Sequence, residues 1–134
     1  DSYIYMAFAA IALVPVGGNT QLLLNAMGYK RALQAVLEGR KIPATECLEY
    51  GIANKLTGAD TVLSEAQAWA EQLASGAPLA VAAAKRLMRS VGSMSFGDAI
   101  SAEGVEQTPL LKSKDCITGV QAFFTKTQPV FEGK

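Results

Sequence analysis

The sequence predicts a mainly helical chain, about seven helices with two short extended pieces, and three observations carry that prediction. Nearly every boundary between apolar segments is a Gly, Pro or Ser, the residues that punctuate secondary structure. Between those breaks, apolar residues recur at spacings of three and four, the repeat of a helix that buries one face. The strand candidates are Tyr3–Met6, which opens on the β-type tripeptide Tyr3-Ile4-Tyr5, and Ile52–Leu56.

Taken in order, the first helix is expected over Asn19–Met27, with Gly28 as a left-handed cap. Asn19 and Thr20 are placed to accept hydrogen bonds from its first free N–H groups. A second helix follows over Tyr29–Glu38, with Leu33, Val36 and Leu37 on one face and Gly39 at its end. Arg40-Lys41-Ile42 reads as an extended link. Pro43 then opens a helix of about eight residues that carries Glu46 in its first turn, where the dipole favours an anion, and Gly51 ends it. After the turn Gly58-Ala59-Asp60, a helix runs to Ala74 with Val62, Ala66, Trp69 and Leu73 as its buried stripe; Trp69 is expected in the core. Pro78 starts the next helix, which reaches about Val91 and gathers Lys85, Arg86 and Arg89 toward its C-terminal end. Ser95-Phe96-Gly97-Asp98 has capping-box spacing and opens a helix to Glu106 or beyond. Ser113 caps the last helix, which carries Ile117, Val120, Phe123 and Phe124 and stops before Pro129.

Composition excludes several classes of function. With 134 residues, half of them hydrophobic, the chain has ample material for a core. Twelve basic residues balance twelve acidic ones and no run of like charge reaches five, so a nucleic-acid-binding surface has no support. The longest apolar stretch, Met6–Val16, is too short to span a bilayer, which takes about 20 residues, and no basic n-region of a signal peptide precedes it. Cys47 and Cys116 stand far apart in sequence and are expected as reduced, partly buried thiols, in the cytoplasm or a mitochondrial or peroxisomal matrix. There is no histidine and no Cys pair at metal-ligand spacing, so no metal site is expected. Proton transfer would fall to carboxylates or water. The start of the chain inside an extended apolar segment reads as a cut from something larger.

One stretch carries a chemical hypothesis of its own. In Ile11–Gln21, Pro15 stops an apolar run, Gly17 and Gly18 free the backbone to turn sharply, and a helix follows. A strand–turn–helix corner of this kind concentrates N–H donors and the positive end of a helix dipole at one point. A carbonyl oxygen gaining negative charge would be stabilised there. The same residues also suit an ordinary tight turn that does no more than start a helix.

Read together, the segments resemble the C-terminal half of the enoyl-CoA hydratase/isomerase, or crotonase, superfamily. The resemblance rests on Leu13-Val14-Pro15-Val16-Gly17-Gly18-Asn19-Thr20, on Gly28-Tyr29-Lys30-Arg31-Ala32-Leu33, and on Gly39-Arg40-Lys41-Ile42-Pro43-Ala44-Thr45-Glu46 through Gly51-Ile52-Ala53-Asn54. It continues through Pro78-Leu79-Ala80, Ala84-Lys85-Arg86 and Asp115…Gly119-Val120-Gln121-Ala122-Phe123 to Lys126…Pro129-Val130-Phe131. Each fragment is weak alone; their collinearity over the whole chain is what argues kinship. The resemblance implies an α/β crotonase-like (ClpP/crotonase) fold, with residues 1–56 as the end of a β–β–α spiral core and residues 57–134 as a helical oligomerisation region. It implies a trimer or hexamer and a coenzyme A thioester as substrate or ligand, with no other cofactor.

The same resemblance assigns site positions. The glutamate that hydratases keep seven positions ahead of the corner proline falls on Phe8, and the acid that one isomerase branch keeps just after it falls on Val16. Neither side chain moves a proton. Phe8 and the Pro15-x-Gly-Gly spelling fit the isomerase-like branches, which shift a double bond along an acyl chain. Gly17 and Gly18 fall on the helix-terminus side of the oxyanion hole. Phe123, Lys126 and Phe131 fall where relatives line the CoA cleft, Phe123 as a channel wall and Lys126 as a point charge for a phosphate. An aromatic on an amphipathic helix is more often core, and a lysine near a chain end is as often plain surface. Two functions follow as expectations: a family member that handles acyl-CoA but is inactive as this chain alone, or a non-catalytic helical interaction module.

Overall fold

The computed structural model describes residues 2–134. Among them lie two short strands and seven α-helices. These are β1 (Tyr3–Tyr5), α1 (Asn19–Met27), α2 (Tyr29–Glu38), β2 (Lys41–Pro43), α3 (Ala44–Glu49), α4 (Val62–Ala74), α5 (Pro78–Ser90), α6 (Phe96–Leu110) and α7 (Lys114–Thr125). The chain divides into two compact units, residues 1–61 and 62–134.

In the first unit β1 and β2 pair antiparallel, with Ile4 opposite Ile42 and Tyr5 opposite Lys41. Side chains alternate faces along a strand, so the Ile pair turns one way and the Tyr and Lys side chains the other. Ile42 is fully buried, worth about 1.5–3 kcal/mol relative to exposure. It joins Met6, Leu23, Met27, Ala32, Ala35 and Cys47 in the core of this unit. On the outer face the Lys41 ammonium stands 4.1 Å from the centre of the Tyr3 ring.

The second strand is therefore not Ile52–Leu56, as the sequence suggests, but Lys41–Pro43, of which the sequence reads Lys41 and Ile42 as part of an extended link and Pro43 as the start of a helix. The N–H groups of Ile52 and Ala53 both donate to the carbonyl of Cys47, at 2.8 and 2.9 Å. That local use folds the segment back on the end of α3 and leaves it no ladder to join. Helix α3 is correspondingly short, since Pro43 still belongs to β2. Gly28 does follow α1, but at φ 74° and ψ 163°, an extended mirror conformation reserved for glycine rather than the left-handed helical one. The core face of α2 is Ala32 and Ala35 with Val36 beside them, while Leu33 and Leu37 are exposed.

In the second unit Ser95 and Ser113 cap α6 and α7, accepting the N–H groups of Asp98 at 3.2 Å and Cys116 at 3.0 Å. Arg86 of α5 grips Glu106 of α6 with two hydrogen bonds, at 2.9 and 2.6 Å. Helix α4 departs from expectation: Val62, Ala66 and Leu73 are exposed, and Trp69 is 42% exposed rather than core. Periodicity finds a helix's apolar face correctly, but the cover for that face lies outside the helix. No helix of the described residues is long and apolar enough to cross a membrane.

Candidate functional site

The corner is built differently from a simple strand–turn–helix. After β1 the backbone makes a 3₁₀ turn over Ala7–Ile11, which ends with Ala12 in the left-handed region at φ 58°. The N–H of Leu13 returns to the carbonyl of Phe8 at 3.0 Å. Residues 13–16 are irregular; Pro15 is buried and anchors them, while Val16 is 64% exposed. Gly17 and Gly18 then take φ 70° and 82°, two left-handed residues in succession, and α1 begins. Only glycine takes that pair of conformations without strain.

The capping expected of Asn19 and Thr20 does not occur. The Asn19 side-chain amide points backward and donates to the carbonyl of Val16 at 2.8 Å. No side chain among the described residues caps α1. The first turn of a helix has N–H groups with no intrahelical acceptor. Here they lie at a glycine turn with open space where Cβ atoms would stand on Gly17 and Gly18. The arrangement is chemically suited to an incoming oxygen that carries partial negative charge.

Of the two positions to which the resemblance assigns an acid, Phe8 is half-buried and packs against the core of the first unit, and Val16 is exposed. Neither titrates. An ion pair of the same unit ties the residue ahead of β2 to α3: Arg40 holds Glu46 with two hydrogen bonds, at 3.0 and 2.7 Å. Hydrogen bonding to that guanidinium keeps the Glu46 carboxyl below its ordinary value and raises Arg40.

The remaining predicted residues belong to the second unit. Phe123 is 80% exposed, so the expectation that it packs in a core does not hold in this chain; it meets Phe124 edge-to-face at 5.7 Å between ring centres. Lys126 is exposed and closes α7 with a left-handed backbone at φ 56°. Phe131 is half-buried, and its ring packs over Gly119 of α7. It lines a cavity of about 320 Å³ among α5, α6 and α7.

Sequence reasoning assigned no role to Asp115. Its carboxylate is buried and accepts the N–H groups of Glu132 and Gly133, both at 2.8 Å. The available signal was an acid in the first turn of a helix followed by a glycine-containing tail.

A family model for enoyl-CoA hydratase/isomerase matches residues 1–134. The chain belongs to the enoyl-CoA hydratase/isomerase family. It is 31% identical over 130 residues to a carnitinyl-CoA dehydratase of Citrobacter koseri, covering 94% of this chain and 50% of that protein. It is 30% identical over 124 residues to an enoyl-CoA isomerase/hydratase of Mycosarcoma maydis, covering 92% of this chain and 45% of the relative. Among solved structures it resembles an enoyl-CoA hydratase from Bacillus anthracis, with TM-score 0.94 and 28% identity over 100% of this chain and 52% of that one. An enoyl-CoA hydratase from Mycobacterium tuberculosis gives 0.93 and 29%, over 100% and 53%. This enoyl-CoA hydratase/isomerase family member thus shares their crotonase-type fold and spans about half the length of the relatives it matches.

Proposed function

We propose that the chain supplies the C-terminal half of an acyl-CoA-handling protein and contributes binding and electrostatic groups to it but no proton-transferring acid. The observation that carries this reading is the uncapped start of α1 behind Gly17 and Gly18, in a chain of this family. In the reaction of an intact relative, backbone N–H groups polarise the thioester carbonyl and a carboxylate moves the proton between carbons. This chain offers the first element at the corner and replaces the second by Phe8 and Val16. In pattern it stands nearest the isomerases that shift a double bond. Phe123, Lys126 and Phe131 supply contacts for the acyl and CoA parts of the ligand, Lys126 through its exposed ammonium. Residues 1–56 end the spiral core, residues 57–134 form the oligomerisation region, and the assembly is a trimer or hexamer. Two unpaired cysteines support a cytoplasmic or matrix setting.

The test is a titration of the 134-residue chain with a short 2-enoyl-CoA, followed by amide NMR, together with turnover assays on 2-enoyl- and 3-enoyl-CoA. Saturable shifts at Gly17, Gly18 and the first turn of α1 are expected, in the millimolar range that corresponds to about 4 kcal/mol. No turnover is expected. Silence at those amides would remove the binding assignment, and turnover would remove the claim that the chain lacks a proton-transferring group.

A second reading, a non-catalytic interaction module, draws support from the wide exposure of Phe96, Val105, Phe123, Phe124 and Val130 on and after α6 and α7. Its test is the state of association, treated below.

A further inference from the structure

Asp115 is the buried charged residue of the described part of the chain, 4% exposed. Burial of a carboxylate is costly unless its oxygens are hydrogen-bonded, and both are. Oδ1 accepts the N–H of Glu132 and Oδ2 that of Gly133, each at 2.8 Å. In return the N–H of Asp115 donates to the carbonyl of Lys134 at 3.1 Å. Next to it, the Lys114 ammonium sits 2.9 Å from both Glu132 carboxylate oxygens. Helix α7 does not need these bonds to start, because Ser113 already caps it. What they fix is the tail.

The tail residue just before the clasp is Phe131. Its ring lies over Gly119, where an added Cβ would stand 3.5 Å from Cε1, an ordinary packing distance, so the ring rests directly on the α7 backbone. Phe131 forms one wall of the cavity of about 320 Å³, whose other walls include Leu79, Ala80, Leu110, Cys116 and Val120. The Asp115 oxygens are both taken by the tail, so the carboxylate is occupied where it borders this space. Such a lining admits an aliphatic group and disfavours a phosphate.

We propose that residues 128–134 form a strap latched by Asp115, and that Asp115 is a positioning residue which holds Phe131 as the wall for the aliphatic chain of an acyl-CoA. This rests on the reading that Phe131 contacts the acyl-CoA ligand. Asp115 itself does not touch the ligand; it acts through the strap. Opening the strap removes that wall and lays the cavity bare.

The two native cysteines make the test direct. Cys116 lines the cavity, Cys47 is a buried reference thiol in the first unit, and helical circular dichroism reports whether the helices of the second unit stay folded. Alkylation by iodoacetamide is followed at each thiol by peptide mass spectrometry. In Asp115→Ala, which loses two charge-assisted hydrogen bonds, Cys116 is expected to react faster by on the order of tenfold, with Cys47 unchanged. Asp115→Asn should fall between, since its Oδ1 still accepts one N–H while its amide nitrogen faces the other donor. Phe131→Ala should also expose Cys116, with the clasp intact. Hexanoyl-CoA should slow Cys116 alkylation in the native chain and do so less in Asp115→Ala and Phe131→Ala, whereas free CoA should not slow it.

Unchanged Cys116 rates in both Asp115→Ala and Phe131→Ala would overturn the strap. Faster alkylation with undiminished protection by hexanoyl-CoA would overturn the positioning role. If Asp115→Ala also loses helical circular dichroism, the second unit has unfolded and Phe131→Ala decides. Absence of hexanoyl-CoA protection in the native chain, with shifts still seen at Gly17 and Gly18, removes the present inference alone; absence of both removes the acyl-CoA reading itself.

Discussion

Gly18 holds its left-handed backbone in open space, so an added methyl group meets nothing and the whole cost of Gly18→Ala is conformational. A non-glycine residue pays about 1–2 kcal/mol for that region, and the substitution should lower stability by about 1 kcal/mol, read from the urea midpoint at constant slope. A neutral Gly18→Ala would mean that the turn relaxes to an ordinary conformation. The need for glycine here is legible from the dipeptide itself, because few other residues tolerate two such conformations in a row. The direction of the Asn19 side chain is not legible. An amide can accept from the helix or donate to the preceding carbonyl, and the path of residues 13–16 decides between them. Trp69 was misplaced, and the core alternative for Phe123 fails, for a related reason: an aromatic on an apolar stripe announces a face that wants covering, not the group that covers it.

Helix limits were largely readable because their signals are local. Gly28 and Gly39 bound α1 and α2, Ser95 and Ser113 open α6 and α7, and each acts within its own turn. Strand β2 reads in the sequence only as an extended link because three residues become a strand only by pairing with Tyr3–Tyr5, far back in the chain. Between elements, ion pairs set the response to acid. Hydrogen bonds from Arg40, Arg86 and Lys114 hold the carboxyls of Glu46, Glu106 and Glu132 below the ordinary 4.5. Their contribution is therefore fully present above pH 4.5 and is lost as pH falls through the lowered folded values. Glu106→Gln, which removes the α5–α6 pair, should be less stable than the native chain at pH 7 and converge with it in strong acid. Urea midpoints at pH 7, 4.5 and 3 check this, and a gap that persists at pH 3 would assign the effect to packing instead.

For the chain as a whole, family and fold were legible through the order of many weak fragments, each a local backbone requirement. The tail clasp was less legible, because it joins Asp115 to Glu132 and Gly133, a partnership that no short motif encodes. The exposed apolar side chains of α4, α6 and α7 predict self-association. Light scattering across a dilution series should give a mass well above the 14.1 kDa of one chain. A monomer at every concentration would count against both the oligomeric assembly and the interaction reading.

Trp69 gives that last point an optical consequence. It is the sole indole of the chain and stands partly in water while the fold is intact. Its emission has room to move both ways, to longer wavelength as the chain melts and to shorter wavelength if another surface closes over α4. The protein carries a built-in fluorophore that distinguishes loss of fold from gain of company.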